Sequence, residues 1–148
     1  MTDLQPTDLL DHRPPFLFVD ELTEMVPGQS ARGLWTPAPD LPFFEGHFPG
    51  RPVLPGVILI EAMAQVGACA VLADDSFTGK LPMLGGIDKA RFRRQVQPGD
   101  LVEMEAEVTK LTKVGGRGRF RATVGGEKAA EADIMFVVVD KAAIEGAG

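Results

Sequence analysis

The sequence predicts an α+β fold in which a curved antiparallel sheet wraps around one central helix. Two observations predict it. Residues 56–74, "GVILIEAMAQVGACAVLAD", are apolar on nearly every helical face, so a helix there needs protein on all sides. Most of the second half instead alternates apolar and polar residues, as strands do when one face lies on a core. A sheet folded around the helix satisfies both patterns.

The elements follow in order along the chain. "FLFVDELTEMV" from Phe16 predicts a strand, and "PGQ" at 27–29 predicts a turn into a second strand, "SARGLW". A Pro-rich loop from Thr36 to Pro55 leads to the helix, and a proline suits the start of a helix. Four strands in a meander are then predicted by "KLPMLGGIDKARFRRQV", "DLVEMEAEVTKLTKV", "RGRFRATVG" and "EKAAEADIMFVVVD". Exposed edge strands would favour pairing with a second copy of the chain.

Size and charge limit the possible functions. A length of 148 residues with 45% hydrophobic content predicts one domain spanning 1–148. The net charge of −6 argues against binding to nucleic acid or to an anionic membrane. The longest apolar run, Val57 to Leu72, is too short to span a membrane. Cys69 is the only cysteine and the N-terminus does not resemble a signal peptide, so we expect a cytoplasmic protein.

A carboxylate inside the apolar helix is the first candidate for chemistry. Glu61 has Val57, Ile58 and Ala64 among its helical neighbours, and only Gln65, one turn later, is polar. Most helix glutamates are simply solvated, and a narrow polar strip would allow that here. We favour the alternative, in which the carboxyl is buried and serves as a general acid or base. Gln65 could then orient it through a hydrogen bond.

Two further features lie just before Glu61. His47 stands in a turn between Gly46 and Phe48, where it is either a structural histidine or a base. The helix N-terminus at Gly56 offers unpaired N–H groups that could stabilise an oxyanion. Acid, base and oxyanion site together suit proton abstraction beside a carbonyl, with loss or addition of a group at the next carbon. Metal binding is poorly supported, because His12 is the only other histidine and neither has metal-ligand spacing.

The stretch "DKARFRRQV" at 88–96 gathers positive charge in an acidic chain. It is either a solvated strand face or a docking patch for an acidic partner. The residues concerned are Lys89, Arg91, Arg93 and Arg94.

Three stretches resemble the β-hydroxyacyl-[acyl-carrier-protein] dehydratases of type II fatty acid synthesis, which have the hot-dog fold. They are "HRPPFLFVD" at 12–20, "FFEGHFPGRPVLPGVILIEAMAQ" at 43–65 and "GIDKARFRRQVQPGD" at 86–100. The resemblance implies that His47 is the catalytic histidine, that Glu61 is the catalytic acid and that the Gly56 amide holds the thioester carbonyl. With them we expect Val57, Gln65 and Phe48 to contact the substrate.

The resemblance also implies an acyl carrier protein as partner, with the acyl chain on its phosphopantetheine, and no cofactor. It implies a homodimer with shared active sites, often assembled as a trimer of dimers, which is a hexamer. Related dehydratase-isomerases carry aspartate at the position of Glu61, which favours a plain dehydratase. Many members have a gating tyrosine before "GIDKARF", where this chain has Met83 and Leu84. The alternatives are a hot-dog acyl thioesterase and a non-catalytic acyl-carrier-binding protein.

Overall fold

The computed structural model describes residues 2–145, and within them the chain forms one long helix and six strands. The long helix is α2 (Gly56–Leu72), with short helices α1 (Pro6–Leu9) and α3 (Lys141–Glu145) near the ends. The strands are β1 (Glu21–Val26), β2 (Ser30–Trp35), β3 (Lys80–Phe92), β4 (Val102–Thr112), β5 (Gly115–Val124) and β6 (Glu127–Asp140).

The six strands form a single antiparallel sheet in the order β1-β2-β4-β5-β6-β3. Helix α2 packs on its inner face, where Ala62, Met63 and Val66 are fully buried. The apolar helix thus obtains the cover that its sequence requires, and alternate strand residues provide it. The predicted hot-dog architecture is confirmed.

The predicted meander is wrong for its first strand. Strands β4, β5 and β6 do follow one another, but β3 pairs with β6, from Lys80 opposite Asp140 to Phe92 opposite Ala130. The reason is that the chain passes from β2 through α2 to the far edge of the sheet before it forms β3. Alternation of apolar and polar residues identifies a strand, but it does not say which strand lies beside it.

The first strand is also shorter than the alternating sequence from Phe16 predicts. Strand β1 begins at Glu21 rather than at Phe16. Residues 16–18 instead lie against α2, where the backbone N–H of Phe18 donates to the side chain of Gln65 and the Phe16 carbonyl accepts from it. The buried Gln65 side chain therefore makes the hydrogen bonds to Phe16 and Phe18 that a neighbouring strand would otherwise make.

Strand β3 leaves an apolar edge uncovered in the single chain. Met83, Leu84, Ile87 and Phe92 on this strand are each between 43% and 53% exposed. A long edge with apolar side chains is the kind of surface that a second chain covers. Within residues 2–145, no helix is long and apolar enough to cross a membrane.

Candidate active site

Glu61 lies in the second turn of α2, on the one stripe of the helix that the core does not cover. Its side chain is 26% exposed, and Ala64 and Ala68 on the same stripe are also partly exposed. The prediction of a fully buried carboxyl is therefore wrong, and so is the alternative of a freely solvated one. The stripe faces a cavity, which gives the carboxylate apolar surroundings and some access to water.

Gln65 holds this carboxylate in place. Its side chain is 1% exposed and makes three hydrogen bonds. Nε2 donates to Glu61 Oε2 at 2.9 Å and to the Phe16 carbonyl at 3.0 Å, while Oε1 accepts from the Phe18 N–H at 2.8 Å. The predicted hydrogen bond between Gln65 and Glu61 is present. Because the two backbone contacts fix the amide, its remaining N–H points at one defined carboxylate oxygen.

The cavity beside Glu61 has a volume of about 250 Å³ and lies between α2 and the sheet. Its polar side chains, Glu61, Gln65 and His12, are outnumbered by apolar ones. A narrow apolar space with a carboxylate in its wall suits an acyl chain with a reacting oxygen near that carboxylate. Met83 and Leu84, at the position of the gating tyrosine in many dehydratases, also line it. The other lining residues are Ala64, Gly67, Ala68, Val71, Pro82, Phe120, Ile134 and Phe136.

His47 is held in the loop before α2 by its own neighbours. Its Nδ1 lies 2.8 Å from the Val53 carbonyl, and its ring stacks on Phe48 with centroids 4.2 Å apart. Donation from Nδ1 to a carbonyl leaves the lone pair on Nε2, which is the form that a base needs. Among the described residues that line the Glu61 cavity, however, His47 is absent. The structure therefore does not bring the predicted acid and base together in that cavity.

The N-terminus of α2 has the predicted open amides. The Pro55 carbonyl accepts from the N–H groups of Ile58 and Leu59, so within the described part of the chain Gly56 and Val57 have no backbone acceptor. A Cβ on Gly56 would lie 2.8 Å from the ring of Phe92, so any larger residue at this position would push that half-exposed ring aside. Val57 and Phe48 are 75% and 53% exposed, in keeping with surfaces that await a ligand or a second chain.

Two of the four predicted docking residues are already in close ion pairs, with nitrogen–oxygen distances of 3.1 Å or less. Arg93 donates to Glu131 at 2.7 Å, and Arg94 lies 3.1 Å from Glu127. Hydrogen bonds from Lys128 and from Arg93 lower the pKa of Glu131 to about 2, so this carboxylate stays charged at neutral pH. The main role of these two arginines is therefore to stabilise contacts with β6 rather than to dock a partner.

The other two basic residues are more available. The Lys89 side chain is 81% exposed and lies 4.0 Å from the Asp133 carboxylate. Among residues 2–145, the Arg91 guanidinium donates only to the Ala90 carbonyl. A docking surface on β3 would thus depend on Lys89 and Arg91 more than on their neighbours. Within the same residues, no group of three or more His, Cys, Asp or Glu side chains could hold a metal ion.

One polar residue of the cavity was not predicted as part of the site. Its sequence context predicts no role for His12 beyond a poorly supported one as a metal ligand, yet its Nε2 lies 3.5 Å from Glu61 Oε2. The sequence separates the two residues by 49 positions, and no local spacing connects them. The only available signal was that "HRPPFLFVD" belongs to the resemblance and begins at His12.

The fold and the site define a class of protein. The chain belongs to the FabA-like domain family, whose model matches residues 10–133. It is 52% identical over 133 residues to the 3-hydroxyacyl-[acyl-carrier-protein] dehydratase FabZ of Desulforamulus reducens, covering 90% of this chain and 94% of that protein. It is also 52% identical over 134 residues to the enzyme of the same name from Pelotomaculum thermopropionicum, covering 90% and 96%.

Solved structures agree on the fold. The dehydratase heterocomplex ApeI:P from Xenorhabdus doucetiae superposes with a TM-score of 0.76, covering 98% of this chain and 97% of that one. A hypothetical thioesterase from Streptococcus pneumoniae, solved with coenzyme A, superposes with a TM-score of 0.62, covering 81% and 85%. The sequence identities are 17% and 11%, so these likenesses concern architecture alone.

Proposed function

We propose that this chain is an enzyme that reversibly dehydrates (3R)-3-hydroxyacyl-[acyl-carrier-protein] to the trans-2-enoyl form in fatty acid biosynthesis. The 52% identity to curated dehydratases over nine-tenths of the chain supports this reaction. The structural observation that carries it is the Glu61 carboxylate, fixed by Gln65 in the wall of an apolar cavity. A carboxyl group in that wall can give its proton to the hydroxyl of an acyl chain bound in the cavity.

The residues divide the reaction into three tasks. His47 takes the C2 proton on Nε2, while the open amides at Gly56 and Val57 stabilise the negative charge that develops on the thioester oxygen. Glu61 gives its proton to the C3 hydroxyl, which leaves as water. The C2–H electron pair forms the new C2–C3 double bond as the C3–O bond breaks, so the reaction needs no oxidant or reductant.

The site is completed by a second copy of the chain. Two observations support this: the cavity of Glu61 lacks the His47 of the same chain, and the apolar edge of β3 is uncovered. A homodimer could place the His47 of one chain at the Glu61 of the other and cover the apolar side chains Met83, Leu84 and Ile87 of that edge. The whole chain, 1–148, then acts as one domain in the cytoplasm, in dimers that can assemble further into a trimer of dimers.

The partner is an acyl carrier protein that presents the acyl chain on its phosphopantetheine, and Lys89 and Arg91 help to dock it. Reversing both charges to glutamate is expected to lower kcat/KM for carrier-bound substrate about tenfold, because charge steering acts on encounter. The rate with a short soluble thioester should stay unchanged.

A control with the same change in net charge replaces Lys110 and Lys113 by glutamate. These exposed residues lie on β4 and in the turn that follows it, and β5 and β6 separate β4 from β3 in the sheet. Kinetics with both substrates compare the two variants. An equal loss in both variants, or a loss with the soluble thioester as well, would contradict docking at Lys89 and Arg91.

The reaction itself is tested with purified chain and a series of 3-hydroxyacyl carrier substrates of different acyl lengths. Mass spectrometry should show loss of one water from the acyl chain, and the reverse reaction should appear when the enoyl form is supplied. Release of free carrier thiol would instead indicate a thioesterase. Binding without any change in substrate mass would indicate a non-catalytic carrier-binding protein.

A further inference from the structure

A second histidine, His12, stands beside the proposed catalytic carboxylate. Its Nε2 is 3.5 Å from Glu61 Oε2, the same oxygen that accepts from Gln65. This separation is longer than a hydrogen bond, but contacts of catalytic groups are often long before substrate arrives. His12 and Glu61 are the only titratable side chains among the described residues that line the cavity.

The other ring nitrogen of His12, Nδ1, does not stabilise the described fold through a hydrogen bond. Nδ1 is buried and has no hydrogen-bond partner within residues 2–145. A proton on Nδ1 would therefore leave a buried donor unpaired and would turn the Nε2 lone pair toward a carboxylate oxygen. Of the two neutral tautomers, the one with the proton on Nε2 is therefore favoured, and it directs an N–H at Glu61.

Hydrogen bonds hold the chain on both sides of His12. Gln65 accepts from the Phe18 N–H and donates to the Phe16 carbonyl, which fixes the chain after His12. On the other side, Lys141 donates to Asp11 at 2.9 Å. The chain on either side of His12 is thus tied to α2 and to α3, so the place of the ring beside Glu61 does not depend on a free loop.

We infer that His12 is a positioning residue for Glu61, an inference that rests on the proposed dehydration. His12 and Gln65 both direct an N–H at Oε2, whereas Oε1 accepts no hydrogen bond from any described residue. Oε1 is then the oxygen that carries the proton to the C3 hydroxyl. As that proton leaves, the two N–H donors stabilise the carboxylate that forms.

Two substitutions at His12 separate this role from simple packing. Phenylalanine keeps a ring of similar shape but has no N–H, whereas glutamine keeps an N–H at a similar reach. For His12→Phe we expect kcat to fall about tenfold with KM unchanged, the size of one hydrogen bond to a charged group. His12→Gln should recover most of that loss. Thermal unfolding of both variants checks that they are folded.

A double substitution tests whether His12 acts through Glu61. In the Glu61→Gln background there is no carboxylate to position, so adding His12→Phe should lower the residual rate no further. Equal proportional losses in both backgrounds would overturn the inference, as would failure of His12→Gln to recover activity while remaining folded.

The contact can also be tested without turnover. The chain has two histidines, so the ring ¹⁵N signals that disappear in His12→Gln belong to His12. At a fixed neutral pH these signals should move in Glu61→Gln and stay in place in Glu103→Gln, which alters an exposed glutamate on β4. Signals that do not respond to Glu61→Gln would overturn the inference, whatever the activity. A wild-type chain that dehydrates nothing would refute the proposed function instead.

Discussion

Replacing Glu61 with glutamine is expected to lower kcat for dehydration roughly 10²- to 10⁴-fold, the usual contribution of a general acid. Glutamine has nearly the shape of glutamate, and its carbonyl can still accept the hydrogen bond from Gln65 that Oε2 accepts now. The property that disappears is the transferable proton. Steady-state kinetics with a 3-hydroxyacyl carrier substrate measure the loss.

Thermal unfolding should be little affected by the same substitution. A fully buried carboxyl would have given a gain in stability on neutralisation, but the Glu61 side chain is 26% exposed and hydrogen-bonded. Glu103→Gln makes the same chemical change on the exposed face of β4 and should retain the wild-type rate. A folded Glu61→Gln protein that dehydrates as fast as the Glu103 variant would remove Glu61 from the mechanism.

Helices and strands were predictable where the pattern of apolar and polar residues alone determines the element. The apolar run of α2 has no polar face to offer to water, so it could only be a covered helix, and it ends at Leu72, two residues before the predicted end. The second strand, Ser30–Trp35, and the last, Glu127–Asp140, have the predicted bounds. The place of β3 at the edge was not predictable, because it depends on how α2 crosses the sheet.

In the candidate site, too, contacts between residues close in sequence were predictable, whereas contacts made by tertiary packing were not. The contact between Glu61 and Gln65 followed from their spacing of four residues, which places them on one helical face. The partners of Arg93 and Arg94 did not follow from the sequence, because strand register brings Glu131 and Glu127 to them. The partial exposure of Glu61 likewise depends on the cavity, which forms where α2 packs on the sheet and cannot be read from the helix sequence alone.

Mixing two inactive variants is expected to restore activity if each site combines two chains. His47→Ala and Glu61→Gln homodimers each lack one essential group in every site. A mixed dimer puts both defects into one site and leaves the other site intact. With random exchange half of the dimers are mixed, so roughly a quarter of all sites should work. Dehydration measured after exchange of the two proteins gives this fraction directly.

The control for this experiment mixes His47→Ala with His47→Gln. Both proteins then lack the same group, so chain exchange can build no intact site and activity should stay at the level of the parents. Mass spectrometry of a tagged partner establishes that exchange has taken place in both mixtures. Complete exchange of His47→Ala with Glu61→Gln without recovery would mean that one chain supplies both residues. The single chain would then have to bring His47 into a cavity whose described lining does not include it, by a movement of the loop before α2.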